Sequence, residues 1–340
     1  MNILEEKYEI RRAHSAEIDE IRAFIDAHWR HDHILARDRA FFEYEMVVDG
    51  QVNFVIARER AGGAIHAIHG FILTCKDCER PDIWGVMWKA LPGAPALLGH
   101  ETTRKIMEIT NARAMYSVGD NPKTSVPILK ILRKYKDVSR MKHYYCLAAQ
   151  DEYRLAVVRH YEPLPEADPK SAVQVKLLCD YGELERSLDL SVLKQSCPHK
   201  DLWYLRHRYF EHPRYDYEIY GLSADRGGSV AALLIARKQE YQGARALRLV
   251  DYLGEQSCFG GLTPFLREKL REFEYLDFYC HGFEERYLTQ AGMVELTADD
   301  SNIIPNYFAP YEARNIDIWV GAPETGATFF KADGDQDRPN

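Results

Sequence analysis

The chain carries the same order of segments twice, and this internal repeat limits how it can fold more than any other feature. Each half opens with a helical pattern, continues with apolar or alternating strands, and then passes through a strand, a turn, a helix and a further strand. Gly119 and Gly282, which end the strands after those helices, lie 163 positions apart (282 − 119 = 163). This order predicts an α+β fold rather than a doubly wound one, with two tandem domains that each hold a mixed, mostly antiparallel sheet flanked by helices.

The boundaries follow from local composition. The segment 160–170, HYEPLPEADPK, is proline-rich and charged, which is typical of a linker. We therefore predict an N-terminal domain over 1–155, a C-terminal domain over 156–330, and a disordered tail over 331–340. Ser15 and Asp180 are the predicted caps of the first helix in each half.

Composition narrows the classes of partner. The net charge is −8 over 340 residues, and no basic stripe is present to neutralise phosphates, which argues against nucleic acid. The longest apolar runs are strand-sized, so we expect no membrane insertion and a cytoplasmic location.

The seven cysteines lie mostly among apolar neighbours, which favours reduced thiols over a disulfide framework. Cys75 and Cys78 have metal-like spacing, but no second such pair follows. A turn between strands is favoured there over a metal or redox site, and we expect no metal.

The strand–turn–helix step is the predicted site element in both halves. A helix N-terminus presents unpaired N–H groups and a positive dipole end, which suit a pyrophosphate. Gly93 and Gly99 flank the first such turn, and Gly254, Gly260 and Gly261 flank the second. Loops before helices are also often glycine-rich for structural reasons alone, so both readings stay open.

The stretches WKALPGAPALLGHETT and VGDNPKTSVPILKIL, together with the order of elements, resemble the GNAT superfamily of acyl-CoA-dependent N-acyltransferases, in tandem. In that superfamily the fourth and fifth strands splay apart, the pantetheine arm of CoA pairs with the fourth, and the next loop wraps the pyrophosphate. The resemblance implies an acyl-CoA co-substrate, such as acetyl-CoA or a hydroxyacyl-CoA. The cofactor-binding residues that it implies are Trp88, Lys89, Ala90, Leu91, Leu98, Gly99, Thr102 and Asn121. Leu129 stands where many members carry a tyrosine as general acid, so that role does not carry over.

The second half of the sequence contains the fragments from which we predict the acceptor substrate. The fragments WYLRHRYFEHPRY and IIPNYF resemble tandem GNAT proteins of bacterial surface-polysaccharide (O-antigen or capsule) biosynthesis. The resemblance implies N-acylation of a nucleotide-linked amino sugar, such as a dTDP-linked amino-dideoxyhexose, by direct attack of the amine on the thioester. The predicted substrate-binding residues are Trp203, Arg206, Arg208, His212, Tyr215, Tyr279, Asn306, Tyr307 and Phe308. A structural reading, with core aromatics and solvated arginines, is the alternative.

The N-terminal domain is predicted to bind acyl-CoA and the C-terminal domain to bind the sugar-nucleotide acceptor. Only the N-terminal half is expected to bind CoA productively, because Glu255 places a carboxylate in the second turn, where it would oppose a pyrophosphate.

Acyl transfer needs a neutral amine, and a histidine or carboxylate could remove its proton. His33, His143 and His281 have polar neighbours and strand-end or loop positions. We rank His33 first and His281 second as catalytic residues. Two alternatives remain: His33 only hydrogen-bonds a sugar hydroxyl or caps the following helix, or substrate positioning suffices without a base.

Two other functions compete with this one. The first is a tandem-GNAT transferase that acts on aminoacyl or peptide amines. Such enzymes use aminoacyl-tRNA, and the lack of net basic character in this chain argues against a tRNA substrate. A non-catalytic module that binds CoA or a sugar nucleotide is the second alternative. The sequence leaves the acyl group, the sugar and the oligomeric state open.

Overall fold

A computed structural model describes residues 3–76, 78–167, 173–194, 196–224 and 228–339. The chain forms two compact units, which we call unit 1 (Met1–Val118 with Arg338–Asn340) and unit 2 (Gly119–Asp337). Each unit combines antiparallel strands with one parallel strand pair and has helices beside them. The predicted α+β class with mixed, mostly antiparallel sheets is therefore confirmed.

The described part of unit 1 contains five α-helices and seven strands. Its helices are α1 (Ile3–Lys7), α2 (Ile18–His28), α3 (Ile34–Arg37), α4 (Arg39–Met46) and α5 (Leu98–Thr110). Its strands are β1 (Tyr8–Arg12), β2 (Val47–Val48), β3 (Gln51–Val52), β4 (Phe54–Glu59), β5 (Ile65–Leu73), β6 (Asp82–Ala90) and β7 (Ala114–Val118). The strand order is β1-β4-β5-β6-β7, antiparallel up to β6 and parallel between β6 and β7.

Helix α2 forms because Ile18, Ile21 and Ile25 recur at helical spacing and are all buried. The predicted cap Ser15 is wrong, because it lies inside a 3₁₀ turn (Ser15–Glu17) that precedes the helix. The Glu17 carboxylate instead accepts the backbone N–H of His14, the residue before this turn, at 2.8 Å.

The helices of unit 2 are short. They are α6 (Ser125–Pro127), α7 (Tyr181–Ser187), α8 (Ser191–Lys194), α9 (Leu202–Leu205), α10 (Thr263–Lys269) and α11 (Glu285–Ala291), with π-helical turns at Ile128–Leu132 and Arg206–Phe210 and a 3₁₀ helix at Gln256–Gly261. Asp180 caps α7 through its carboxylate and the Glu183 N–H at 2.8 Å, as predicted.

The strands of unit 2 build a larger sheet. They are β8 (Asp137–Arg140), β9 (Lys142–Leu147), β10 (Gln174–Leu178), β11 (Tyr217–Ser223), β12 (Ala232–Tyr241), β13 (Ala244–Gly254), β14 (Tyr275–His281), β15 (Val294–Glu295), β16 (Tyr307–Phe308), β17 (Tyr311–Glu312), β18 (Trp319–Ala322) and β19 (Phe329–Phe330). The main order is β10-β11-β12-β13-β14-β9-β15, and β19 also pairs with β14. Strands β8 and β18 form an antiparallel ladder, and β16 and β17 form a hairpin.

The division between the units differs from the predicted boundary at 155. Strand β9 closes the first half of the sequence repeat, yet it pairs antiparallel with β14 of the second half from Lys142↔Cys280 to Leu147↔Tyr275. Because this ladder ties β9 to the second sheet, the units divide at Val118. Of the predicted linker, residues 160–167 form no helix or strand, and 168–170 lie outside the described residues.

The predicted disordered tail is wrong over its described part, 331–339. Lys331, Asp333 and Asp337 are buried. Asp333 lies 2.7 Å from the Lys200 ammonium, and Asp337 accepts hydrogen bonds from the Arg237 guanidinium. Local composition suggested disorder, but cations distant in the sequence neutralise these acids inside unit 2.

The expectation that the cysteines stay reduced is wrong for one pair. Cys75 and Cys78 form a disulfide across the turn between β5 and β6, with their Cα atoms 5.9 Å apart. Of the helices in the described ranges, none is both long enough and apolar enough to cross a membrane.

The buried triad of Lys200, Asp251 and Asp333 makes stability depend on pH. The ammonium lies 2.7 to 2.8 Å from oxygens of both carboxylates. Burial raises the pKa of Asp333 to about 6; Lys200 opposes this shift and the charge of Asp251 adds to it. A folded-state pKa above the unfolded value of about 3.9 gives stability that is present below pH 4 and is lost as pH rises through 6.

We therefore expect wild-type protein to lose unfolding free energy relative to Asp333→Asn as pH rises from 4 to 7. Urea denaturation at several pH values measures this difference, with the half-buried Asp335→Asn as control. Parallel curves for wild type and Asp333→Asn would contradict the assignment.

Candidate functional site

In unit 1 the parallel ladder between β6 and β7 ends one residue before β7 does and five residues before β6 does, and we call this unpaired stretch the separation of the two strands. Their ladder runs from Asp82↔Ala114 to Gly85↔Ser117, whereas β6 continues to Ala90. Among the described strands, β6 pairs only with β5 and β7. The last five residues of β6 therefore present backbone groups on the β7 side without a strand partner.

A bulge in β6 lies at the start of this separation. Gly70 pairs with Val86 and Ile68 with Lys89, so Met87 and Trp88 face the single residue His69. Met87 has a φ of 51°, a left-handed conformation that few non-glycine residues adopt. A bulge of this kind leaves one residue out of the ladder and turns its backbone groups away from the neighbouring strand.

Three of the predicted cofactor-binding residues lie together where α5 begins. The Trp88 indole Nε1 donates to the carbonyl of Gly99 at 2.9 Å, and the Thr102 hydroxyl donates to the same oxygen at 2.7 Å. A Cβ atom at Gly99 would lie 2.9 Å from Trp88 Nε1, so the close approach of indole and helix requires glycine.

The other predicted cofactor-binding residues divide by environment. Lys89 and Ala90 pair with β5, the Leu91 N–H donates to the His66 carbonyl at 2.8 Å, and Leu98 is buried in the core. Asn121 belongs to unit 2, where its side-chain oxygen accepts the Lys123 N–H at 2.9 Å.

Strand β13 of unit 2 repeats the geometry of β6. Its parallel ladder with β14 ends at Leu249↔Phe278, although β13 continues to Gly254. Val250 is the extra residue of a bulge, because Ile235 pairs with Asp251 and Ala236 with Leu249. Val250 lies 163 positions after Met87 (250 − 87 = 163), the same spacing as the two strand-end glycines.

The chain itself fills the separation in unit 2. The Ala332 N–H donates to the Val250 carbonyl at 2.8 Å, and β19 pairs with the end of β14. Arg208 donates to the carbonyls of Ala332 and Asp337 at 3.1 and 3.2 Å. We call residues 329–337 the inserted segment.

The glycine-rich turn of unit 2 is also closed. Residues 256–261 form a 3₁₀ helix, and Cys258 to Leu262 are buried. A Cβ atom at Gly260 would lie 2.7 Å from the Gln290 side chain, because α11 packs against this turn.

Several predicted acceptor residues hold the inserted segment or the hairpin before it. The Arg237 guanidinium that binds Asp337 lies 3.8 Å from the Tyr215 ring centre, and the His212 ring stacks on Tyr215. The backbone and side-chain oxygens of Asn306 accept hydrogen bonds from Arg248.

The rest of that predicted set is nearer the surface. Trp203 stacks on His207, and Arg206 forms an exposed ion pair with Glu211 at 2.6 Å. Tyr307 and Phe308 form β16 and are half-buried.

Each of the two predicted catalytic histidines has a ring nitrogen within hydrogen-bond distance of another group of the protein. His33 caps α3, with its Nδ1 accepting the Leu35 N–H at 3.2 Å. Burial lowers the pKa of His33 to about 3, and the charges of Arg338, Arg30 and Arg37 add to this shift. His281 Nε2 lies 2.7 Å from a carboxylate oxygen of Asp137.

Two buried arginine side chains, one in each unit, were not among the residues predicted from the sequence. In unit 1, the Arg338 guanidinium pairs with Glu45 at 2.7 Å and reaches the Met87 sulfur at 3.5 Å, beside the β6 bulge. In unit 2, Arg248 binds Asp277 at 2.9 to 3.1 Å, and Asp277 lies 3.0 Å from His143 Nε2. The partners are far apart in sequence, so only the fold brings them together.

No family model and no curated protein matches the sequence. Among solved structures, an Enterococcus faecalis protein described as a "Probable N-Acyltransferase" aligns over 92% of this chain and 72% of its own, with a TM-score of 0.54 and 9% identity. A GCN5-related N-acetyltransferase from Anabaena variabilis gives the same coverages, with a TM-score of 0.53 and 9% identity.

A GCN5-related glucosamine N-acetyltransferase region of a fungal multi-domain β-N-acetylglucosaminidase also aligns. It covers 93% of this chain and 38% of its own, with a TM-score of 0.51 and 13% identity. At these identities the likeness concerns the fold alone. Over about nine-tenths of its length, the chain has the fold of the GCN5-related N-acetyltransferases.

Proposed function

We propose that the protein is an acyl-CoA-dependent N-acyltransferase that binds acyl-CoA in unit 1. The observation that carries the proposal is the end of β6 beyond its ladder with β7, which no described strand pairs on that side, with a bulge at Met87 and the N-terminus of α5 next to it in sequence. The matching separation in unit 2 is filled by the inserted segment.

Each part of an acyl-CoA has a matching element in unit 1. The amide groups of pantetheine can pair with the free side of β6, as an added strand would. The first-turn N–H groups of the 13-residue helix α5 and its dipole suit the pyrophosphate. A backbone N–H of the bulge can donate to the thioester oxygen as negative charge develops there.

The chemical step is a direct displacement. The neutral amine of the acceptor attacks the thioester carbon, the new C–N bond forms, the C–S bond breaks, and the thiolate of CoA leaves. The ammonium proton passes to solvent or to a nearby base. Holding the two reactants in line supplies much of the rate gain.

For the acceptor we propose a nucleotide-linked amino sugar, such as a dTDP-linked amino-dideoxyhexose. Support comes from the sequence resemblance and from the fungal structural neighbour, whose description as a glucosamine N-acetyltransferase indicates that this fold can accept an amino sugar. Trp203, Arg206, Tyr307 and Phe308 remain proposed contacts, because they are at least partly accessible.

A thiol-release assay over a grid of acyl-CoAs and amines tests the proposal. It should include nucleotide-linked amino sugars, free amino sugars and peptide amines. We expect thiol release with at least one nucleotide-linked amino sugar and much less with peptide amines. Strict preference for peptide amines would overturn the acceptor, and no release with any pair would overturn the activity.

The location of acyl-CoA can be tested with a matched pair of variants. Ala96 and Ser257 are both exposed and lie in the corresponding turns of units 1 and 2. Ala96→Glu adds a carboxylate where we place the pyrophosphate, so we expect the KM for acyl-CoA to rise roughly tenfold. Ser257→Glu makes the same change in the closed turn and should leave that KM unaltered. The reverse pattern would place acyl-CoA in unit 2.

The role of His33 can be separated from its cap. Asparagine is a good cap but cannot act as a base near neutrality, so a catalytic role predicts a loss in kcat of about 10² to 10⁴ for His33→Asn. Because Nδ1 is engaged and the pKa is about 3, we expect an unchanged kcat for His33→Asn. His33→Ala should lower the unfolding free energy by about 1 kcal/mol. A large fall in kcat for folded His33→Asn would restore His33 as the base.

A further inference from the structure

Unit 2 contains a cavity that the predicted acceptor residues do not line. It has a volume of 570 Å³ and is lined by residues 140–143, 295–298 and 315–317. The lining comes from the end of β8 and the start of β9, from β15 with the turn after it, and from the segment that leads into β18. This volume lies within the range of small-molecule sites.

His143 is the buried polar side chain among the lining residues, and its orientation is fixed from two directions. Its Nε2 lies 3.0 Å from an Asp277 carboxylate oxygen, and its ring stacks on Tyr279 at 3.8 Å with an interplanar angle of 12°. Arg248 in turn holds Asp277 through two guanidinium nitrogens. The carboxylate therefore keeps the imidazole hydrogen on Nε2, which makes Nδ1 a hydrogen-bond acceptor.

That acceptor is unsatisfied within the described chain. His143 is 5% exposed, and its Nδ1 has no hydrogen-bond partner among the described residues. A buried polar atom without a partner costs free energy that a ligand donor can recover. The group that fits Nδ1 is a hydroxyl or an amine N–H.

The charges at the cavity are already paired. Lys142 lies 2.5 and 3.0 Å from carboxylates of Glu285 and Glu295, and Arg140 lies 3.1 Å from Asp317. Paired charges create no strong field for an anion, so phosphate alone is a poor fit. They do offer several acceptors and donors at close spacing, which suits a ring with many hydroxyl groups.

We infer that this cavity binds the sugar ring of the acceptor, with one ring hydroxyl or amine N–H donated to Nδ1 of His143. The inference rests on the proposed function for its choice of ligand class. It assigns His143 a positioning role that goes beyond the acceptor residues predicted from the sequence. Of those residues, Tyr279 contributes through its stacking on His143.

Two substitutions of His143 separate ligand binding from structural support. His143→Asn keeps an acceptor near the Nδ1 position but loses the bond to Asp277. His143→Gln keeps a donor near the Nε2 position but loses the acceptor. The probes are a dTDP-linked 4-amino-4,6-dideoxyhexose and the methyl glycoside of the same sugar, with affinity measured by calorimetry without acyl-CoA.

We expect His143→Gln to weaken both probes roughly three- to tenfold and His143→Asn to bind them more nearly as wild type does. A purely structural role predicts the opposite order, because the glutamine preserves the bond to Asp277. In wild type, the ¹⁵N resonance of His143 Nδ1 should shift when the methyl glycoside is added. An unshifted resonance at saturation would overturn the inference.

A third variant tests the cavity without touching the buried network. Ala298 is exposed and lines the cavity, so Ala298→Trp should fill it and abolish measurable binding. Ala224→Trp, at an exposed position outside the lining, should bind as wild type does. Unchanged binding by Ala298→Trp overturns the inference even if the His143 variants do not fold.

The outcomes also separate this inference from the proposed function. If the sugar nucleotide is acylated while Ala298→Trp and His143→Gln bind it normally, the cavity assignment fails and the acyltransferase stands. If the methyl glycoside binds in a His143-dependent way but no amine is acylated, the assignment of the cavity is supported and the proposed acyltransferase activity is overturned. Failure of wild type to bind either probe at millimolar concentration overturns the cavity assignment.

Discussion

A parallel strand pair that stops hydrogen-bonding before one of its strands ends is the constraint on which both units depend. Buried backbone groups beyond the last ladder pair need a partner. In unit 2 the protein supplies one, since the Ala332 N–H reaches the Val250 carbonyl. In unit 1 the corresponding part of β6, from Met87 onwards, has no strand partner on the β7 side among the described strands. The chain itself therefore fills this strand geometry in unit 2, whereas in unit 1 it is the edge at which we propose that acyl-CoA binds.

The inserted segment owes its position to charge. Its carboxylates Asp333 and Asp337 are buried, which is costly unless opposite charges lie within contact. Lys200 and Arg237 supply those charges, and Tyr217 adds a hydrogen bond to Asp337 at 2.9 Å. Buried ion pairs contribute little net stability compared with apolar packing, but leaving one partner unpaired is strongly destabilising. The pairs therefore fix the register of the segment more than they strengthen the fold. A shift by one residue would separate each acid from its cation.

Features that depend on local sequence pattern could be predicted from the sequence. Features that depend on contacts between residues far apart in the sequence could not. The order of elements, the α+β class and the cap at Asp180 were predicted because they depend on neighbours in the sequence. The ordered inserted segment could not be predicted, because its charged composition is typical of disorder and its cations Lys200 and Arg237 lie 133 and 100 residues before Asp333 and Asp337. The pairing of β9 with β14 could not be predicted from the local sequence either, because the apolar pattern of β9 fits either sheet. The acceptor residues were predicted mainly from two stretches of sequence, 203–215 and 306–308, but the fold distributes them between the inserted segment, the surface and the Arg248 network.

The three candidate histidines show why chemistry must be assigned from contacts. In the sequence each has polar neighbours, and the loop position of His33 favours it. In the fold, His33 uses Nδ1 to cap a helix and His281 lies against Asp137. His143 differs because of the antiparallel register of β9 and β14, which sets it opposite Tyr279 and next to Asp277. Asp277 and Tyr279 are two positions apart on one strand and so lie on one face of the sheet. One face of β14 thus supplies both the carboxylate that orients the imidazole and the ring that supports it. Because both supports act on the ring and on Nε2, Nδ1 is left without a hydrogen-bond partner among the described residues, which is why we infer a ligand donor there.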